Sequence, residues 1–579
     1  MAATQSGNPA LLRIFLPLLL SILFLAGLAR AQTPAAEAAR QANVLQRQNE
    51  ERMRRDLEEA MPQQPPPVFP GISIPPPAVD ASAAGPSCHW IDEIVISSAP
   101  HLSPSVRAGI IERHAGACLG VAQIEQILAA ITRDYIERGY ITTRAYLPSQ
   151  DLSGGRLEIL VIEGRVGPVQ LEDGGKRSIN PGLVFPAEGA LFNLRDFEQG
   201  IEQVNRLSSN DARLDIQPGD TPGASRVVIR NTPAFPLHAF LSADDHGSES
   251  TGRNQLDFGL TADRLLGLNE LMIYAHRRSQ PYDDAHKSSS SDSFTFILPL
   301  GYWTFSAAAS QSGYTTTFVA PSGLPLRFQG DTDSVSLKLS RAVIRSQTGR
   351  ATVGVGLLQK ATRNYLEGEL LDVSSRRLAI LDLEAGASTR LAGGALTLGL
   401  DYERGLSAFG ALRDPDGLPD DAPHAQFGKL RYQLSYFYPF QAAGMDAEFS
   451  SRIEGQRAQD VLYGSEQILV GGIYSVRGFS ATNLSGDNGW FSRNELALRP
   501  MLSLAGRALP LRVYAGVDLG AVSNRAAGAP SGRISGVAAG VSGAWDRLSF
   551  DIFHAKPLSR PDFLPREGGR TWLRLALSI

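Results

Sequence analysis

This chain has little of what marks most other classes of protein. Two cysteines, Cys88 and Cys118, occur in 579 residues, too few for a disulfide-built scaffold or a thiolate cluster. His89 and His114 lie near them, but the spacing fits no standard zinc pattern, so no metal site is expected. Formal net charge is −4 at pH 7 with no polybasic run, which argues against nucleic acid as a partner. After residue 28 no apolar run approaches the length of a membrane-spanning helix. Gly-x-Ser-x-Gly and His-Glu-x-x-His do not occur. Residues 174–178 fail as a phosphate loop, because Gln170 stands at the first glycine position and Arg177 at the Ser/Thr position. Neither enzyme chemistry nor a cofactor is indicated.

What is present begins with an export signal. Arg13 precedes an apolar run, Ile14 to Leu28, followed by Ala29-Arg30-Ala31. At about 15 residues the run is short for a span and suits a secretory signal, with residues 1–31 removed after Ala31. In an exported chain the single cysteine pair, Cys88 and Cys118, is expected to form a disulfide.

From residue 235 to Ile579 one pattern repeats. Leu256, Phe258, Leu260 and Ala262 interleave with Asp257, Gly259, Thr261 and Asp263; Leu396, Leu398, Leu400 and Tyr402 alternate with Thr397, Gly399, Asp401 and Glu403. Period two puts each set on its own face of a strand. No long helices are available to cover the apolar faces, and the other faces carry charge. A closed barrel with lipid outside and water inside satisfies both faces and every backbone hydrogen bond; a soluble sandwich or propeller is the alternative. At about 21 residues per strand and connection, the region holds some sixteen antiparallel strands, enough for an aqueous channel.

Four units lie between signal and barrel. Residues 32–61 are rich in helix formers and charged nearly all round, so a helix here has little to bury and either floats or sits in a polar cavity. Residues 62–87 hold Pro62, Pro65, Pro66, Pro67, Pro70, Pro75, Pro76 and Pro77, the composition of an extended tether. A charged helix on a long tether suggests a plug. Residues 88–165 read as one α/β domain: strand Glu93–Ser97, a helix from Ser105, a second helix with Ile124, Ile127, Leu128, Ile131 and Tyr135 on one face, and strands near 142–147 and 157–162. Residues 166–234 repeat the theme, with Phe197, Ile201 and Val204 inward on a helix. Exposed strand edges on such modules can bind an extended client by adding a strand, which reads backbone more than side chains.

This order of parts, with several motifs, resembles the outer-membrane transporters of two-partner secretion, whose periplasmic modules are called POTRA domains. In the first module Tyr135, Gly139-Tyr140-Ile141-Thr142-Thr143, Gln150-Asp151-Leu152 and Glu163-Gly164 are similar to family signatures. In the second they are Asn205-Arg206-Leu207-Ser208-Ser209, Pro218-Gly219 and Gly223-Ala224-Ser225, although Ser208 stands where the family often has proline. Val476-Arg477-Gly478-Phe479, after Gly471-Gly472, resembles the tip of the sixth extracellular loop, which folds back into the barrel. Gly516-Val517-Asp518-Leu519-Gly520 resembles the strand whose carboxylate pairs with that loop arginine. The resemblance implies two POTRA domains in the periplasm, a barrel in the outer membrane of a Gram-negative bacterium, and ATP-independent export of an unfolded exoprotein that folds outside. It implies as further partners the surrounding lipid and the barrel assembly machinery for insertion of the chain itself. An assembly factor of the same superfamily is the alternative function, and a passive porin a more distant one. The last strand ends in Ile579 where barrel proteins commonly end in an aromatic residue, which bears on how that machinery reads it.

Overall fold

The computed structural model describes residues 44, 46–48, 50–54 and 88–579, apart from 282–283, 320–322, 347 and 505. The expected signal (1–31) and tether (62–87) lie outside the described residues, and of the expected helix 32–61 only residues 44, 46–48 and 50–54 are described, all of them helical.

The first module is a three-stranded sheet under two helices. Strand Glu93–Ser97 runs parallel to Arg156–Ile162, which pairs antiparallel with Arg144–Tyr146. Helix Pro104–His114 starts with its proline where a missing N–H costs nothing. Helix Val121–Glu137 turns Ile124, Ile127, Ile131 and Tyr135 into the core against Ile94, Leu157 and Ile159. A small hairpin that the apolar pattern did not foretell, His89–Ile91 with Ala117–Leu119, places Trp90 opposite Cys118. Cys88 and Cys118 are joined there. Closing a loop of about 30 residues stabilises the module by roughly 3–4 kcal/mol on the chain-entropy view.

The second module repeats the layout. Strand Arg165–Glu172 runs parallel to Ala224–Asn231, which pairs antiparallel with Ala212–Pro218. Helix Leu194–Asn205 is capped by Asn193, whose Oδ1 accepts from the Arg195 N–H at 2.9 Å. Phe197 stacks between Phe185 and Phe192, with ring centroids 5.9 and 5.0 Å apart.

Sixteen antiparallel strands close into a barrel, sealed by Leu237–Asp244 pairing with Arg570–Ser578. Glu369–Leu370 and Met501–Leu504 are short extensions of neighbouring strands. The polarity is inverted relative to a soluble protein. Leu256 and Phe258 are 41% and 42% exposed on the outside, whereas Gln255 and Asp257 between them are 2% and 7% exposed on the inside. The alternation ends at Ala262, which is buried where the second module meets the barrel.

Glu163 shows what one signature residue does. It accepts from the Tyr135 hydroxyl at 2.7 Å and from the backbone N–H of His101 at 3.1 Å, with the His101 ring at 2.9 Å. Burial pushes its carboxyl up, but these hydrogen bonds outweigh that and hold it below its ordinary value. Unfolded, this residue binds its proton more tightly than folded, so its contribution to stability is complete above the unfolded value. It is lost as pH falls through the folded value. Acid should therefore unlock this module before the barrel, and Glu163→Gln should flatten that pH dependence while weakening the module at neutral pH. Hydrogen exchange of the Tyr135 segment in the full chain, followed from pH 7 downward, checks it.

Candidate functional site in the barrel lumen

Between strands Met445–Ala458 and Asn488–Leu498 the chain makes its sixth far-rim loop, residues 459–487. The loop does not leave the barrel. A short hairpin, Ile468–Val470 with Leu484–Gly486, carries its tip inward. Gly478, at φ +105°, makes the turn after Arg477, and a Cβ there would stand 2.5 Å from the Lys556 backbone.

Arg477 reaches the wall at that tip. Its Nε lies 2.7 Å from Asp518 Oδ2 and its Nη2 2.8 Å from Oδ1, a two-pronged fork, while its own backbone N–H donates to Oδ2 at 3.0 Å. Nη1 takes Glu495 at 2.5 Å, a partner that the motif comparison missed. Arg477 is 2% exposed and Asp518 fully buried. Removing one member of such a pair strands the other, which typically costs about 3–5 kcal/mol. Val476 and Phe479 anchor the tip by packing with Ile468, Val470 and Leu484 against Phe491, Val522 and Ile534 of the wall.

The glycines around Asp518 explain why the loop can lie flat. Inward positions alternate along a strand, so Gly516, Asp518 and Gly520 face the lumen together, with Gly536 opposite Asp518 on the next strand. A Cβ would meet Arg477 Nη2 at 2.7 Å from Gly516, Val470 at 2.4 Å from Gly520 and the Arg477 carbonyl oxygen at 1.9 Å from Gly536. The strand motif is thus a groove with a carboxylate at its centre.

A second charge cluster belongs to no motif in the sequence. Glu466 of the loop is buried between Lys360 and Lys429, each 2.9 Å away, and Lys429 also pairs with Glu403 at 3.0 Å. Residues 44–54 join the same network: Glu50 lies 2.9 Å from Lys360, Arg54 3.0 Å from Glu454, and Arg52 donates to the His246 carbonyl at 3.0 Å. A hint was available in lysines at inward positions of strands, each of which needs a counter-charge when it is buried. Asp382, Glu384 and Asp401 form the one carboxylate group, among the described residues, compact enough for a cation. Lys338 already pairs with Glu384 there.

The Asn205–Ser209 signature proves to be a docking turn. Leu207 is buried with Leu271, Ile273 and Ile297 of the barrel, and the Ser209 N–H donates to Asp263 at 2.8 Å. On the preceding helix Glu202 pairs with Arg345 at 2.6 Å and with Arg350, and Asp196 accepts from the Tyr302 hydroxyl at 2.7 Å.

Residues 223–543 match the family described as haemolysin secretion/activation protein ShlB/FhaC/HecB. The chain belongs to it. Residues 89–164 match the ShlB-type POTRA domain and 165–218 a further POTRA domain. The chain is 34% identical over 503 residues to the outer membrane transporter CdiB of Dickeya dadantii, covering 86% of this chain and 88% of that one. With the haemolysin transporter protein ShlB of Serratia marcescens it shares 29% over 480 residues, 82% of this chain and 83% of the other. The solved structure of CdiB from Escherichia coli superposes with a TM-score of 0.82 at 31% identity, over 94% of this chain and 99% of that one. Like its family, the chain is an outer-membrane protein whose POTRA domains face the periplasm.

The wall groove can be tested by filling it. Gly536→Ala should drive the tip off the wall, by about 1–3 kcal/mol or more given the overlap. Gly399→Ala should not, since its Cβ would meet only Gln433 at an ordinary 3.7 Å. Thiol labelling of a cysteine placed at Ile473 should rise in the first variant and stay at the parental rate in the second.

Proposed function

We infer that this chain is the export pore of a two-partner secretion pair, passing an unfolded exoprotein from periplasm to cell surface. The observation that carries the reading is a sixteen-stranded barrel with a charged interior, standing on two POTRA domains and holding its sixth loop on the inner wall. The client enters by strand addition: Arg144–Tyr146 and Ala212–Pro218 each pair on one side only and leave an edge open. Directionality comes from folding outside rather than from a nucleotide, and the chain acts as a conduit, not an enzyme. Its exposed leucines are solvated by lipid, and the barrel assembly machinery inserts it through the last strand, Arg570–Ser578.

In this reading Arg477 and Asp518 hold the loop in the position that export needs, with Val476, Gly478 and Phe479 shaping its tip. Residues 32–61 are the resting plug, tethered by 62–87. The polar contacts of Glu50, Arg52 and Arg54 with Lys360, His246 and Glu454 support this, because a helix with little apolar surface to bury gains from a polar cavity.

Arg477→Ala should sharply reduce export while the barrel still inserts, because neither partner faces lipid. Arg477→Lys should also fail, since a point charge cannot reproduce the fork. Asp518→Ala should weaken export less, Glu495 remaining as a second acceptor. The double variant should not add the two losses. Client secretion at matched transporter levels decides; additive losses would mark these as independent charges. Separately, deleting residues 34–60 should raise conductance in planar bilayers, and an unchanged conductance would count against a plug.

A further inference from the structure

Beyond the wall pairing, the far side of the same loop is held by a residue that no motif singles out. Immediately after Phe479 the backbone N–H groups of Ser480, Ala481 and Thr482 converge, as successive amides do in an anion-binding concavity. The occupant is the carboxylate of Glu567, from the eighth far-rim loop, residues 560–569. Its Oε2 accepts from Ser480 N at 2.7 Å, Ser480 Oγ at 2.9 Å and Ala481 N at 3.0 Å. Its Oε1 accepts from Thr482 N at 2.8 Å and from the Thr482 hydroxyl. One side chain thus receives five donors from three consecutive residues of another loop.

The eighth loop is built to deliver it. Arg560 ties the turn to itself by donating to the carbonyls of Pro561 and Leu564. Leu564 packs on the cluster that contains Val476 and Phe479. The sixth loop is therefore gripped on both sides of its tip, by Asp518 from the wall and by Glu567 from the rim. A carboxylate suits this place because it is acceptor-only: an amide of the same shape would turn N–H groups toward N–H groups.

We propose that Glu567 is a positioning residue of the export machinery, a latch through which the eighth loop keeps the sixth loop seated and which must open before that loop can move. The proposal rests on the reading of the sixth loop as the element that export needs. Its first readout is therefore independent of export. In the full-length protein in outer-membrane vesicles, a cysteine at Leu484, two residues beyond Thr482 and buried with the latch closed, is labelled with a membrane-impermeant maleimide. Glu567→Gln should raise the labelling rate roughly tenfold or more, because several hydrogen bonds to one charge are lost together. A cysteine at Ile473, on the other side of the tip, should change far less. Ser480→Ala with Thr482→Val, which removes two hydroxyls and leaves the three amides, should give an intermediate rate. Heat-modifiable migration identifies folded barrel in every variant, so that only inserted protein is compared. Parental labelling in Glu567→Gln would overturn the latch. For the export arm, Glu567→Gln and Arg477→Ala are measured side by side. A defect in both supports the proposal. A defect in Arg477→Ala with normal secretion by Glu567→Gln overturns the role of Glu567 in export. Normal secretion by Arg477→Ala overturns the loop reading itself, and the labelling result then decides the latch alone.

Discussion

A cylinder of sixteen strands is too wide for its own side chains to fill, and here the inner wall carries charge while the outer wall carries exposed apolar residues. A buried charge on that wall needs a counter-charge, either on a neighbouring strand, as Lys429 has in Glu403, or on something that enters the lumen. Much of the interior follows from this constraint. Asp518 receives Arg477, Lys360 and Lys429 receive Glu466, and Glu454 receives Arg54. Apolar packing supports the loop at several places: the patch around Phe479 and Val476 sits beside the Arg477–Asp518 pair, Leu462 packs with Leu378 and Phe427, and Ile473 packs against Phe553 and Trp572. Ionic contacts set the register of the loop on the wall, and the patch excludes water from them.

The same ions connect parts that are distant in sequence. Lys360 contacts both Glu50 of the N-terminal segment and Glu466 of the sixth loop. Glu495 contacts Arg477 of that loop and also Arg512, which reaches Glu448. At the periplasmic end Glu202 clasps two adjacent barrel strands through Arg345 and Arg350. The POTRA helix, the wall and the loop are therefore joined by shared cations and carboxylates rather than by a continuous apolar core.

How much of this could be read in advance depended on the range of the interaction. Period-two alternation over Leu256–Ala262 reports a local fact, which face a side chain takes, and it carried the barrel, while the strand number followed from the length of the region. The Ile124, Ile127, Ile131 stripe reported the first module in the same way. Arg477 and Asp518 were reachable because each sits in a short motif with a recognisable neighbour, Gly478 or Gly516. Glu466, Glu495 and Glu567 lack such a neighbour. Each is one acidic residue in a loop or strand, and what distinguishes it is a partner tens or hundreds of residues away. The hairpin of His89–Ile91 with Ala117–Leu119 was missed for a related reason: two three-residue strands leave too few positions for any period to register.

The N-terminal segment touches the wall with both signs of charge: Glu50 on Lys360 and Arg54 on Glu454. Glu50 and Arg54 lie one helical turn apart, so a segment running the other way would set Arg54 against Lys360 and Glu50 against Glu454, like charge on like. The order of charges on the wall therefore favours one direction of this helix over its reverse.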